Sequence, residues 1–203
     1  LLALIDTFGT DAVRFSVLIS SPAGNDLLYD EAMLEQGRNF CNKMWNALKL
    51  TKMWEAKLVD EPMDPTHEFA IQWMEQQIIA ARLVIDKYEE EFKLSETLKT
   101  IYSLIWDDFC SWYLEIVKPS FGLPIDNITF RNTLLFLEKC LIVLHPFMPF
   151  ISVEIWGGIK NPDDNPLIIK NWPKSKKINN TLLKDFSHIS NLVSGIRKYR
   201  NEN

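Results

Sequence analysis

Glycine is scarce in this chain, and long apolar stretches are missing. Only 7 of the 203 residues are glycine, and long segments show helical periodicity, which favours an all-α fold. No apolar run approaches the roughly 18 residues that a membrane-spanning helix needs, and no secretory signal is visible. The chain starts without a methionine. We therefore expect no contact with a membrane, and we interpret the chain as a piece of a longer protein.

Cysteine and histidine are rare as well, and their spacing limits the chemistry. Cys41, Cys110 and Cys140 lie far apart and form no Cys-x-x-Cys pair, so neither a zinc site nor a disulfide framework is indicated. The three histidines have no neighbour at metal-ligand spacing, and a glycine-rich phosphate loop is absent. We expect no catalytic residue, no metal and no cofactor in this chain. Free cysteines fit a reducing compartment, so we expect a cytoplasmic location.

The apolar periodicity predicts an antiparallel helical bundle with short appendages at both ends. The predicted bundle helices cover residues 31–55, 65–92, 95–118, 129–145 and 149–156. Asp30 and Asp64 are expected to cap the first two helices, and the Asp64-Pro65 pair is a strong start signal.

Three shorter elements are predicted outside the bundle. A short helix is expected over residues 11–19, in which Asp11 and Arg14 have the i,i+3 spacing of an ion pair. Residues 157–180 are rich in turn-forming residues and are predicted to be a loop, with a short strand at 167–170. A last helix is predicted from Thr181.

The segment RNFCNKMWN, residues 38–46, predicts a two-faced helix. At 100° per residue, one face carries cationic and amide side chains, namely Arg38, Asn39, Asn42, Lys43, Asn46 and Lys49. The opposite face carries Met33, Phe40, Met44, Ala47 and Leu48. The apolar face is expected to be buried against other helices, and the polar face is free to meet a polyanion. A merely solvated face would show the same pattern.

The net charge of −5 conceals local basic segments. Residues 38–57 carry five basic groups against one acidic group, and residues 174–203 carry seven against two. An acidic protein can bind nucleic acid through such a segment, because the local field matters more than the total charge.

Five motifs, in order along the chain, resemble valyl-type class I aminoacyl-tRNA synthetases. They are GTDAVRF at 9–15, SPAGND at 21–26 with Tyr29 and Asp30, RNFCNKMWN at 38–46, WDDFCSWYLE at 106–115 with Lys118, and HPFMPF at 145–150 with Glu154 and Trp156. The resemblance implies a helical anticodon-binding domain at 28–156. Residues 1–27 would be a stem-contact segment after the catalytic domain, and residues 157–203 a linker and the start of a C-terminal extension.

The same resemblance implies the activity of a longer parent enzyme. That enzyme would join valine to valine tRNA with ATP and Mg²⁺, using a catalytic domain of the same chain. The ATP-site signatures of the family, His-Ile-Gly-His and Lys-Met-Ser-Lys-Ser, are absent here. We therefore expect this chain to bind the anticodon loop and stem of the tRNA and not to catalyse.

The candidate tRNA-binding residues follow from the chemistry of a single-stranded loop. Amide and guanidinium groups suit base edges, cations suit phosphates, and aromatic rings suit stacking. The candidates are Arg38, Asn39, Asn42, Lys43, Trp45, Asn46, Lys49 and Lys52, with Arg197, Lys198 and Arg200 as a second, basic group. Trp45 and Trp54 flank the polar face, although either ring also suits the core.

Two positions depart from the family pattern, and two other interpretations stay open. Some members carry an Arg before the RNFCNKMWN motif and an aromatic residue after it, where this chain has Ala32 and Leu50. The same domain of an isoleucyl- or leucyl-type synthetase is one alternative. A helical protein-interaction module without an RNA partner is the other, and the salt dependence of binding separates it from an RNA-binding domain.

Overall fold

Helices dominate the computed structural model, which describes residues 2–21, 31–173 and 178–202. The helices are α1 (Leu2–Phe8), α2 (Thr10–Ile19), α3 (Glu31–Glu55), α4 (Pro65–Glu90), α5 (Leu94–Ser103), α6 (Leu114–Val117), α7 (Asn127–Leu144), α8 (Pro149–Ile159) and α9 (Asn180–Glu202). A π-helical segment, Leu104–Tyr113, joins α5 to α6. The predicted cap at Asp30, the motif residues 22–30 and the predicted boundary at residue 27 lie outside the described residues.

The predicted all-α bundle is confirmed, and its helix starts are explained by capping. The Asp64 carboxylate accepts a hydrogen bond from the Thr66 amide at 2.6 Å, and Pro65 occupies the first turn of α4, as predicted. Asp126 caps α7 in the same way, accepting from the Thr129 amide at 2.8 Å. Each cap satisfies an amide that the helix itself leaves unpaired.

The predicted third bundle helix is continuous, but its centre is wider than an α-helix. Residues 104–113 form a π-helix between α5 and α6. Its side chains Phe109 and Tyr113 are fully buried, and the Tyr113 hydroxyl lies 2.9 Å from Thr133 Oγ1 of α7. The wider turn rotates the following side chains relative to α-helical periodicity, so this segment packs a broad aromatic face into the core.

Asp11 and Arg14 of α2 bind distant backbone groups and do not form the predicted ion pair with each other. The Asp11 carboxylate accepts from the amides of Ile151 at 2.6 Å and Phe150 at 3.5 Å, in the first turn of α8. Arg14 donates to the carbonyls of Phe147 at 3.0 Å and Pro146 at 3.2 Å. The expectation from i,i+3 spacing was wrong because unpaired groups at helix ends are stronger partners than an exposed neighbouring charge.

α2 also lies against α3 at very short range. A Cβ atom added to Gly37 of α3 would stand 2.8 Å from the Ala12 carbonyl oxygen and 3.0 Å from its Cα. Next to this contact, Phe15 is fully buried and its ring centroid lies 5.8 Å from that of Phe40 and 5.7 Å from that of Tyr102. α2 is therefore part of the same hydrophobic core as the bundle.

Three local features differ from the sequence predictions. The predicted strand at 167–170 is wrong: residues Leu167–Ile169 form a 3₁₀ turn whose Leu167 side chain is buried. Two short parallel strands, β1 (Leu58–Val59) and β2 (Ile125–Asp126), pair near the α3–α4 and α6–α7 connections. α1 was not predicted.

Within the described ranges, no helix is long and apolar enough to cross a membrane.

Replacing Gly37 with alanine should destabilise the fold. The new methyl group would clash with backbone atoms of Ala12, which cannot rotate away, so we expect a cost of about 1–3 kcal/mol. Gly195→Ala is the matched control, because the same atom there meets open space in α9; alanine should stabilise that helix by about 0.5–1 kcal/mol. Thermal unfolding followed by circular dichroism measures both. Equal melting temperatures for the two variants would contradict the close α2–α3 contact.

The pH dependence of stability should contain a contribution from Asp108. Burial raises the pKa of this carboxyl group to about 7, while a hydrogen bond from Gln77 opposes that rise. Because the folded-state pKa exceeds the unfolded value, the contribution to stability is present below about pH 4 and is lost as the pH rises through about 7.

Asp108→Asn should therefore unfold at higher urea concentration than the unsubstituted chain at pH 8, and the difference should shrink towards pH 4. Asp107→Asn is the control, because Asp107 is exposed and accepts a hydrogen bond from the neighbouring Ser103 hydroxyl at 2.8 Å. Urea titrations at several pH values provide the measurement. A pH-independent difference between Asp108→Asn and the unsubstituted chain would refute the assignment.

Candidate nucleic-acid interface

The two faces of α3 are separated as the sequence predicted. Phe40, Met44, Ala47 and Leu48 are buried in the core, and Met33 packs against its edge. The polar positions Arg38, Asn39, Asn42, Asn46, Lys49 and Lys52 are exposed. We call these six residues, together with Lys43 and Trp45, the α3 polar face. From Arg38 to Lys52 the face extends over about 21 Å of helix, at 1.5 Å per residue.

The N-terminal end of the α3 polar face borders a cleft between three helices. Arg38 and Asn42 line this cleft, whose volume is about 540 Å³. Residues 8–12 form the second wall, and Phe150, Ile151 and Glu154 of α8 form the third. A cation and an amide therefore stand at the place where α2 is bound to the bundle.

Lys43 and Trp45 are less accessible than the rest of the face. The Lys43 ammonium lies 5.2 Å from the centroid of the Trp106 ring, in a cation–π contact, and the side chain is half-buried. Trp45 is also half-buried and packs against the core. Lys43 thus stands at the edge of the face, and the Trp45 ring contributes to packing.

The cations of the α3 polar face are largely free of acidic partners. Lys52 pairs with Glu55 at 2.8 Å, and both side chains are about half exposed, which makes this a weak pair. Among the described residues, no ion pair involves Arg38, Lys43 or Lys49. These charges are available for an external anion such as phosphate.

The C-terminal end of α3 meets a turn that the sequence analysis did not single out. Leu50, Met53, Trp54 and Lys57 line one side of a pocket of about 380 Å³, and residues 118–123 line the other. Phe121, at the tip of this turn, is 97% exposed. The sequence signal was available in the string KPSFGLP, a proline- and glycine-bounded turn with an aromatic residue inside it.

The second predicted group, Arg197, Lys198 and Arg200, lies on a different helix that packs elsewhere. α9 packs on α4, where Phe186 stacks on Trp73 with ring centroids 3.7 Å apart. The Arg197 guanidinium lies 5.4 Å from the centroid of the Trp112 ring. The structure therefore does not place this basic group on the α3 polar face.

Cysteine chemistry is unfavourable throughout the described chain. Burial raises the pKa of Cys41 and of Cys110 to about 12, and it raises that of the fully buried Cys140 as well. The thiolate form needed for nucleophilic attack or metal binding is thereby suppressed. No cluster of three or more His, Cys, Asp or Glu side chains suited to a metal occurs among the described residues.

Comparisons with known proteins agree on one family. A model of the anticodon-binding domain of tRNA ligases matches residues 72–203. The valine–tRNA ligase of Christiangramia forsetii is 42% identical over 203 residues, and that of Bacteroides fragilis is 41% identical over 202 residues. The alignments cover 99% and 98% of this chain but only 23% of each relative. The chain thus spans about a quarter of the length of these relatives.

A solved structure shows the same fold at low sequence identity. It is the ternary complex of the LeuRS of Agrobacterium radiobacter K84 with tRNA and LeuAMS, which matches with a TM-score of 0.58 at 17% identity. The match covers 90% of this chain and 21% of that protein. The family match over most of the chain, the relatives along its whole length and the shared fold lead to one conclusion: the chain belongs to the anticodon-binding domain family of tRNA ligases.

Proposed function

We propose that this chain is the anticodon-binding part of a valine–tRNA ligase and that its α3 polar face binds the anticodon arm of valine tRNA. The observation that carries the proposal is the 42% identity to a valine–tRNA ligase over the whole chain. A relative as distant as that of Zymomonas mobilis, at 31% identity over 99% of the chain, is also a valine–tRNA ligase. The leucyl structure, at 17% identity, supports only the fold.

The geometry of the α3 polar face suits this task. Arg38 and Lys49 are exposed and lie about 16 Å apart along the helix, at 1.5 Å per residue. Between them, Asn42 and Asn46 present amide groups that can both donate to and accept from base edges. Cations that contact phosphates would supply affinity, and amides that contact bases would supply specificity.

The remaining parts of the reaction belong to the proposed parent enzyme. ATP, Mg²⁺ and valine would act in a catalytic domain of the same chain, and the enzyme would work in the cytoplasm. The described residues contain no suitable cluster of metal ligands. The sequence contains no glycine-rich phosphate loop. Within this proposal, the contribution of this chain to the reaction is binding and positioning of the tRNA.

The decisive test is a titration against two tRNAs at two salt concentrations. Valine anticodons end in A and C, so the partners are valine tRNA and the same tRNA with those two bases changed. We expect tighter binding of the unchanged tRNA and steep weakening with salt for both, since phosphate contacts release counterions. If the two tRNAs bind with equal affinity at each salt concentration, the chain does not read the anticodon bases. If binding does not weaken with salt, a protein-interaction module is favoured.

Arg38→Ala and Lys49→Ala should each weaken binding of valine tRNA by about tenfold at 0.1 M salt, because each removes one charge-assisted contact. Each should also flatten the plot of log affinity against log salt by about one unit. The melting temperature should stay unchanged, because both side chains are exposed and belong to no ion pair among the described residues.

Lys87→Ala is the matched control. Lys87 is also exposed but lies on α4, which packs against α5, α7 and α9 and not along the polar face of α3. Its removal should leave affinity and salt dependence as they were. If Lys87→Ala weakens binding as much as Lys49→Ala does, only the total charge matters and the α3 polar face is not a specific site.

A further inference from the structure

The turn after α6 presents an aromatic ring to solvent on a fixed backbone. The Leu123 amide donates to the Ser120 carbonyl at 2.9 Å, and Gly122 has a φ of 84°, which a type II turn requires at its third position. Lys57 donates to the Gly122 carbonyl at 3.0 Å, which ties the turn to the end of α3. Phe121, the second residue of this turn, is 97% exposed.

The pocket beneath this ring is apolar and continues the α3 polar face. Trp54 is buried at its base, and Leu50 and Met53 line its wall on the α3 side. Leu123, 57% exposed, lies on the opposite side beside Phe121. The volume of about 380 Å³ falls in the range of about 300–1,000 Å³ that is common for small-molecule sites. Lys49 and Lys52 directly precede Leu50 and Met53 on the same helix.

Lysine side chains at the pocket can contact a phosphate group. Lys57 has no carboxylate partner among the described residues, and its ammonium group donates to the Gly122 carbonyl. Lys118 pairs with Glu115 at 2.6 Å, and Lys52 with Glu55 at 2.8 Å. Both pairs are about half exposed, so an incoming phosphate can compete for their lysines at little cost.

From these features we propose that the pocket receives one unstacked base of a single-stranded RNA loop, with Phe121 as the stacking surface. The base would lie on the Phe121 ring above the apolar floor, and Lys57 and Lys118 would contact the flanking phosphates. Stacking on an aromatic ring tolerates any base, so the pocket adds affinity and fixes the position of the loop. This inference rests on the proposed function, because the RNA that supplies the base is the anticodon arm bound along α3.

An apolar pocket can also receive a side chain of another protein, and the position of the lysines favours RNA over that occupant. Lys57 and Lys118 line the pocket together with an exposed aromatic ring, and Lys49 and Lys52 lie nearby on α3. Cations beside an aromatic ring are the combination that single-stranded nucleic acids require. A purely apolar partner would leave Lys49 and Lys57, which have no carboxylate partner among the described residues, without a counterpart. The experiment below separates the two occupants.

The test uses a hairpin RNA with the sequence of the valine tRNA anticodon arm, carrying 2-aminopurine at one loop position at a time. The emission of 2-aminopurine changes when the base exchanges its stacking neighbours. With the unsubstituted chain we expect a change at one loop position on binding. Phe121→Ala should abolish that change and raise the Kd by roughly 5- to 100-fold, and Phe121→Trp should preserve both the signal and the affinity.

Phe92→Ala is the matched control for loss of an exposed phenylalanine. Phe92 is 83% exposed. It follows the C-terminal end of α4, whose 26 residues span about 39 Å. This variant should bind the hairpin as the unsubstituted chain does. Circular dichroism of each variant should show an unchanged fold, because neither ring is part of the core.

The outcomes distinguish the pocket from the function on which it rests. If Phe121→Ala binds with unchanged affinity and emission while Lys49→Ala binds weakly, the pocket does not receive a base and the α3 site stands. An apolar protein partner then becomes the better occupant. If the unsubstituted chain binds no hairpin even at low salt, the proposed function fails, and the base pocket fails with it.

Discussion

The attachment of α2 to the rest of the bundle is the constraint on which the other contacts depend. Asp11 holds the first turn of α8, and Arg14 holds the carbonyls that precede it. Burial raises the pKa of Asp11, yet the two amide hydrogen bonds and the nearby Arg14 favour its charged form. On its other side, α2 touches the backbone of α3 at Gly37. The motif GTDAVRF is therefore structural: its polar residues join helices that are more than 130 residues apart in sequence.

This attachment explains why α3 can be committed to two tasks at once. Its apolar face fills the core between α2, α7, α8 and the π-helical segment, so its orientation is fixed by packing. Its opposite face is then free of structural duties, apart from the contact of Lys43 with Trp106 and the packing of Trp45. Three concave surfaces follow one another along that face: the cleft at Arg38, a small pocket beside Lys43 and Asn46, and the pocket below Phe121. A ligand with repeating charge and protruding flat groups matches such a row.

The sequence predicted what depends on local signals. Helix starts such as Asp64-Pro65 and the two faces of α3 were confirmed, because capping and 3.6-residue periodicity act within a few residues. Partners distant in the chain were not predictable. Asp11 and Arg14 were expected to pair with each other because spacing gives no information about α8. Residues 167–170 have the apolar pattern of a strand, but no neighbouring strand lies beside them among the described residues, so they form a 3₁₀ turn. The pocket at Phe121 was missed for the same reason, since it exists only where α3 meets a turn some 65 residues later.

The close contact at Gly37 sets the position of the far end of α3. The helix from Gly37 to Lys52 is about 22 Å long, and the absence of a side chain at Gly37 leaves no compressible layer between it and α2. A change of about 6° in the angle between α3 and α2 would displace the Lys52 end of α3 by about 2 Å, which separates a formed hydrogen bond from a broken one. The contact at Gly37, together with the packing of α3 on α7 and α8, therefore determines where the Lys52 end of the polar face lies.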